Sequence, residues 1–455
     1  MAQISNKTAV FATLAALALV IVAYCPRVNA QPTPAPEREQ LLNGLTILYG
    51  NRAGDPNLLL KLRIKSGAAF DLAGKAGSMA LLADAMFPES TTQEYVAEQL
   101  GGRLEVSTTY DSIDVTISGK SSDLERMVEL LRSAILNVNL SAESVATLRE
   151  ARIKQLAEKS SNAETADRAV AARLFGSYPY GTPAQGTPET VAKIDRADLM
   201  LARERFLNAE NATLAVVGGV EKPRLMRALR QLLGPWQKGD RIVPATFRQP
   251  GGVDDRVLLI DQPATNVEVR LAVRGLSRSD PDLMAASFLA HIANTRWQAA
   301  VPELATTSYV RVDSHALSGL IVFAAKVPPA SAAKAIAAAK KVMTTLTESA
   351  PPESEMPGIV MSSQMPPPEM LLASAWLDAE TYKLPAATSG GPGRVRPDDI
   401  RRVAGRLFGN SAPLAIVVLG SASELQTQLG YKIELRSVGT EPKPPITPAF
   451  PPKKP

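Results

Sequence analysis

Apolar and polar positions alternate over residues 58–65, the two-residue period of a strand with one covered face. Before it the pattern predicts a strand from Leu41, a turn at Asn43-Gly44, a second strand over residues 45–49 and a loop over 51–55. Residues 77–86 form an apolar helical run, and a second helix over 93–100 is ended by Gly101-Gly102. Two paired strands follow, at 103–109 and 113–119. Ser122 and Glu125 have the spacing of a capping box, which opens a helix through Leu136. Residues 142–174 read as one long charged helical stretch with a break near 160–162. A short buried strand at 214–220 and an amphipathic helix at 222–233 close the first half. Residues 234–252 have little periodicity and several Gly and Pro residues, the character of a linker.

The second half repeats the first. Residues 57–65 read NLLLKLRIK and residues 266–274 read NVEVRLAVR, with Asn and two basic residues at the same offsets. Each motif is followed by a helix, then strands, then more helices, and each half closes on a similar strand, TLAVVGGV from Thr213 and PLAIVVLG from Pro413. Two matches in the same order at similar spacing predict a duplicated unit. The expected fold class is α+β: two homologous domains, each a mostly antiparallel sheet with helices packed on one face. The expected boundaries are 40–235 and 253–435, joined by a linker at 236–252.

Composition narrows the class. The 455-residue chain suits two domains plus tails. Its net charge of +5 comes without a basic run interleaved with aromatics, so nucleic acid is not an expected partner. Lys7, an uncharged stretch over 9–24 and small residues around Ala30 predict a signal peptide at 1–30, hence export to the periplasm, with membrane tethering if the segment stays uncleaved. No other stretch is apolar enough to span a membrane. The single cysteine, Cys25, lies inside that segment, which leaves the mature chain without disulfides, zinc thiolates or cysteine catalysis. A Pro-rich leader is expected at 31–39 and a disordered Pro/Lys-rich tail at 436–455.

Three stretches resemble the insulinase-type (M16, inverzincin) zinc peptidases, a family that includes the mitochondrial processing peptidases. NGLTILYGNRAGDPNLLLKLRIKSGAAFD, from Asn43, is similar to the family's first two strands. LFGSYPYGTPAQGTPETV, from Leu174, resembles its Phe-x-x-His-Pro-Tyr-Gly stretch with Tyr178 at the histidine. LLIDQPATNVEVRLAVRGLSRSDPDLMAASFLAHIA, from Leu258, is similar to the entry of the second lobe. The resemblance covers roughly residues 40–430. In that family a helical His-x-x-Glu-His supplies two zinc ligands and a general base, and a later Glu supplies the third ligand. The matching segment here is GSMALLADAMF from Gly77. Ala80 falls at the first His, Ala83 at the Glu and Asp84 at the second His. A methyl group neither binds zinc nor takes a proton from water. The later Glu falls near Lys154 or Gln155, with Glu150 and Glu158 close by. Asp84, Glu150 and Glu158 are therefore the remaining, weak metal candidates, since carboxylates without imidazole make a poor zinc site. The two histidines, His291 and His315, read as isolated packing or surface residues. The family's second lobe grips substrate with an Arg and a Tyr seven residues apart. Tyr309 matches the Tyr and is the one candidate for substrate binding; Pro302 falls where the Arg belongs, and Arg296 reads equally well as a helix-surface charge.

The resemblance thus implies a non-catalytic homologue, without cofactor, that pairs with a catalytic peptidase subunit of the same family or with itself to enclose a peptide-binding chamber. Peptide would add as a strand to the sheet edge at 103–109, ahead of Asp111. Two alternatives stay open. One is an active zinc peptidase using Asp84, Glu150 or Glu158 and a histidine of the other lobe. The other is an envelope scaffold with no peptidase partner. The Pro/Met-rich stretch 349–370 departs from the family's helix pattern and reads either as a lid or as a degenerate loop.

Overall fold

Strand β3 (Asn57–Ile64) shows why the alternation was informative: Leu58, Leu60, Leu62 and Ile64 enter one apolar core, while Leu59, Lys61 and Arg63 face the other way. The structure, a computed structural model, describes residues 35–158, 161–239, 247, 250–356, 368–384, 395–430 and 432–437. The expected signal segment, the 357–367 part of the Pro/Met-rich stretch and the tail from 438 lie outside the described residues.

Strand β3 sits in a six-stranded sheet with β1 (Glu37–Gln40), β2 (Thr46–Asn51), β4 (Arg103–Thr108), β5 (Ile113–Lys120) and β6 (Ala212–Gly218), ordered β1-β2-β6-β3-β5-β4. A second six-stranded sheet contains β7 (Val257–Asp261), β8 (Val267–Arg274), β9 (Ser308–Asp313), β10 (Leu320–Val327), β11 (Leu414–Gly420) and β12 (Ile433–Ser437), ordered β12-β7-β11-β8-β10-β9. Five of the six positions correspond strand for strand, including the parallel pairs β2–β6 and β7–β11. The sixth strand, at one edge, differs: β1 runs antiparallel to β2, and β12 runs parallel to β7. The two-domain α+β reading therefore holds.

The register refines the repeat. Leu58, one residue after Asn57, opposes Gly218, and Glu268, two residues after Asn266, opposes Leu419. Gly218 thus corresponds to Gly420, and Leu214 to Ile416, two residues beyond the Leu214–Leu414 match that the strings TLAVVGGV and PLAIVVLG suggest.

Two further expectations are corrected. The first strand precedes Leu41, which instead opens the turn: the Gly44 N–H donates to its carbonyl at 2.9 Å. Ser122 and Glu125 form no capping box. Residues Ser121–Asp123 make a single 3-10 turn before helix α3 (Leu124–Leu136), and Asp123 caps that helix without a side-chain bond. The Glu125 carboxylate is drawn away by the Arg224 guanidinium, at 2.6 and 2.9 Å.

In the first half, α1 (Ser78–Met86), α2 (Ser90–Glu98), α3, α7 (Arg196–Phe206) and α8 (Lys222–Leu233) cover one face of the sheet. In the second half the same role falls to α9 (Leu283–Ala300), α10 (Ala332–Glu348), α12 (Pro397–Phe408) and α13 (Ala422–Leu429). The long charged stretch splits, near the expected break, into α4 (Ala142–Glu158) and α5 (Asn162–Phe175), and a single turn, α6 (Pro188–Val191), leads on to α7. Ser161 caps α5 in a capping box with Glu164.

The second face of each sheet is covered by a helix from the other half. Ala166, Val170, Leu174 and Phe175 of α5 lie on Leu258, Ala272, Val417 and Leu419 of the second sheet. Ala373, Trp376 and Leu377 of α11 (Pro368–Tyr382) lie on Leu48, Leu59, Ala215 and Val217 of the first. Burying one such large side chain stabilises by about 1.5–3 kcal/mol, so this exchange locks the halves together. The repeated basic position serves both covers: Lys61 donates to Ser374 of α11 at 2.9 Å, and Arg270 pairs with Asp167 of α5. Among the described residues no helix is long and apolar enough to cross a membrane.

Candidate functional site

Helix α1 is apolar almost all round, so it is buried, and its Ala80 and Ala83 methyls are enclosed. Its start is fixed by Asp71, whose carboxylate accepts from the N–H groups of Gly77 at 2.7 Å and Met79 at 2.8 Å. Near its end Asp84 meets Arg152 of α4. The Arg152 Nε and Nη2 donate to Asp84 Oδ2 at 2.8 and 2.7 Å, and Nη2 also donates to the Ala80 carbonyl at 3.0 Å. The third arm, Nη1, donates to Gln185 Oε1 at 2.7 Å. Burial pushes the Asp84 carboxyl up while Arg152 pulls it down, with burial the larger effect. Every arm of this guanidinium is thus engaged.

The sequence reading passed over Arg152. It sits on the inward stripe of α4 with Val145, Leu148 and Leu156, and a cation at that spacing signals a buried charge in need of a partner. The weak metal candidates do not converge. Glu150 and Glu158 are exposed on α4, and Glu158 faces Lys154 at 4.0 Å. Among the described residues no three His, Cys, Asp or Glu side chains are grouped to hold a metal. The donor set does not fit zinc: the one carboxylate at the position is already neutralised by a fixed cation.

Asp84 and Arg152 line a cleft of about 930 Å³ between the halves. One wall is the edge strand β4, through Val106, Ser107 and Thr108, and the opposite wall includes Arg311 and Asp313 of the other edge strand, β9. The hairpin bond from the Thr109 N–H to the Ser112 carbonyl, at 2.9 Å, sets the alternation along β4. Leu104, Val106 and Thr108 therefore turn their backbone N–H and C=O groups outward, away from β5. An edge of this kind is a template for a further strand.

An aromatic group joins the halves beside the cleft. Tyr110 and Tyr180 lie 4.8 and 4.6 Å from the His315 ring, and the Tyr110 and Tyr180 rings are 4.9 Å apart. Tyr178 packs against Phe175, Tyr180 and Phe247. Burial pushes the Tyr110 phenol up to about 12 and holds His315 below its ordinary value, against the pull of Asp111 and Asp313. Asp111 Oδ2 accepts from the Ala316 N–H at 2.8 Å and from the Tyr382 hydroxyl at 3.0 Å, and the Leu317 N–H donates to the Tyr180 oxygen at 3.0 Å. His315 thus faces the same cleft as Asp84, while His291 is exposed on α9. Tyr309 is 39% exposed on β9, under the Arg311 guanidinium at 5.6 Å, and it is not among the cleft-lining residues; Arg311, one strand repeat further on, is. Arg296 pairs with Glu355 at 2.8 Å, and Pro302 opens a short 3-10 turn.

Comparison with known proteins covers both halves, the second match beginning within the first half. Residues 46–187 match the insulinase family (peptidase family M16), and residues 193–362 match the peptidase M16 inactive domain. An uncharacterized zinc protease of Mycobacterium tuberculosis is 27% identical over 312 residues, 65% of this chain and 71% of that protein. Subunit 1 of the human mitochondrial cytochrome b-c1 complex is 25% identical over 264 residues, 56% of this chain and 54% of that one. A crystal structure of a peptidase M16 inactive domain from Pseudomonas fluorescens superposes with a TM-score of 0.75 at 17% identity, over 86% of this chain and 98% of that one. The periplasmic protease PqqL of Escherichia coli superposes with a TM-score of 0.62 at 15% identity, over 87% of this chain but 49% of that one.

Proposed function

This chain belongs to the insulinase family of peptidases, family M16, and we propose that it is a non-catalytic member that binds extended peptide in its cleft and works beside an active zinc peptidase in the cell envelope. The observation that carries this reading is the engagement of Asp84 by Arg152. A divalent cation would have to displace a guanidinium held by a carboxylate, a carbonyl and an amide, and would find one carboxylate in return. The enclosed methyls of Ala80 and Ala83 offer neither a ligand nor a base.

The likeness to an inactive domain supports the same reading. The likeness to about half of the longer PqqL chain supports a pairing in which a second chain completes the chamber. Peptide capture rests on the outward backbone groups of Leu104 and Val106 at the cleft wall, which bind main chain and read little sequence.

The test is zinc stoichiometry of residues 31–455 after exposure to excess zinc and removal of the loosely held fraction, together with hydrolysis of an unfolded polypeptide. We expect close to zero zinc per chain, no hydrolysis alone, and hydrolysis once a family member with an intact His-x-x-Glu-His is added. One tightly held zinc with hydrolysis by the chain alone would instead establish an active peptidase with an atypical site. No effect on any such partner, with no peptide bound, would favour an envelope scaffold.

A further inference from the structure

We propose that Gln185 is the end-stop of the peptide-docking edge, so that an extended peptide pairs with β4 opposite Leu104 and Val106 and must leave the sheet at Thr108. The proposal rests on the reading of the cleft as a peptide site.

Thr108 is the third residue of β4 whose carbonyl points outward, and that carbonyl is already taken: Gln185 Nε2 donates to it at 2.9 Å. The other end of the same amide accepts from Arg152 at 2.7 Å. These two contacts fix the amide's orientation, because a flipped amide would set NH₂ against a guanidinium and oxygen against oxygen. Arg152 is itself held by Asp84 and the Ala80 carbonyl. The loop around Gln185 is also tied down. The Tyr110 hydroxyl donates to the Thr182 carbonyl at 2.8 Å, and the Thr190 hydroxyl donates to the Ala76 carbonyl at 2.8 Å. Gln185 is therefore set in place before any ligand arrives.

An added strand needs both the N–H and the C=O of each outward residue. Leu104 and Val106 offer both, whereas the outward side of the Thr108 carbonyl, where the added strand's N–H would have to come, is occupied by the Gln185 amide. Gln185 acts as a positioning residue that limits the length of the pairing. The chain from Asp84 through Arg152 and Gln185 to Thr108 also ties the helix that lacks zinc chemistry to the strand that docks peptide.

The experiment measures affinity of the full mature chain for end-blocked peptides of alternating Thr and Val, with terminal Lys residues for solubility, from about four to about ten residues long. For the wild type, affinity should rise with length and then level off. Gln185→Glu keeps an acceptor for Arg152 but cannot donate to Thr108, so levelling should move to peptides about two residues longer, one outward position further on. The longest peptides should then bind roughly fivefold more tightly. Gln185→Ala should move it in the same direction. Val106→Pro removes one outward N–H at an edge position where Pro is tolerated, and should weaken every peptide roughly fivefold. Unchanged levelling in both Gln185 variants, with Val106→Pro still weakening binding, would overturn the end-stop and leave the docking edge standing. No binding by the wild type, or no effect of Val106→Pro, would overturn the docking edge and the end-stop together.

Discussion

The two exchanged helices do the same topological work by different chemistry. Helix α5 meets the second sheet through a long apolar strip with a charged contact towards each end: Asp167 pairs with Arg270, which Glu268 also holds, and Arg173 pairs with Glu434 of β12 at 2.8 Å. Helix α11 meets the first sheet through three buried apolar residues, with Met370 and Leu372 beside them, and a web of charge. Arg63, buried, makes a bidentate pair with Asp114 at 2.8 and 2.7 Å and reaches Asp378 of α11 at 2.7 Å, and Asp378 also accepts from Arg278 at 2.6 Å. An apolar strip supplies stability but tolerates sliding. A buried charge web adds little net stability and is costly to break, so it fixes the helix in one register. Helix α5 also lines the cleft, through Asp167, Arg168, Ala171 and Phe175, whereas α11 reaches the site region through Tyr382 and Asp111.

The largest effect should come from the charged cover. Asp114→Ala leaves Arg63 buried with half its partners and should cost about 3–5 kcal/mol, read as a lower urea midpoint. If the loss is under about 1 kcal/mol, the web is not what fixes α11. Leu174→Ala, on the apolar cover, should cost about 2–5 kcal/mol through the cavity it leaves, with the cleft-facing side chains disturbed as well. Gly50→Ala tests the fit of α11 from beneath: a Cβ there would run into the Trp376 ring, so about 1–3 kcal/mol should be lost, with the change in tryptophan fluorescence reporting the displaced ring. The smallest effect belongs to a pair outside both covers. Glu125→Ala removes the exposed partner of Arg224 and should cost about 0–1 kcal/mol, vanishing in high salt.

The duplication was legible because a strand declares its face by alternation: NLLLKLRIK and NVEVRLAVR carry their register within nine letters. The covering helices were legible only as helices. The apolar stripe of α5 or α11 says that a face must be covered and carries no mark of which sheet it covers. The same limit explains the two-residue offset of the closing strands, whose near-uniform apolar letters leave the match to be decided by pairing with β3 and β8. At the site, the resemblance placed Ala80, Ala83 and Asp84 on one buried helix, where the structure also puts them. Arg152 is not a position of the family motif, whose later Glu falls near position 155, and its signal is the helical spacing alone: an Arg on a stripe with Val145, Leu148 and Leu156.

The exchange of helices has a consequence in time. The first sheet's outer face, with Leu48, Leu59, Ala215 and Val217, is complete once Val217 has left the ribosome, but its cover arrives only with Ala373, Trp376 and Leu377. At about 5–20 residues per second, those apolar side chains wait roughly 8 to 30 s for the segment that hides them. A nascent first half therefore carries an uncovered apolar face, open to aggregation, until the far end of its own chain returns to it.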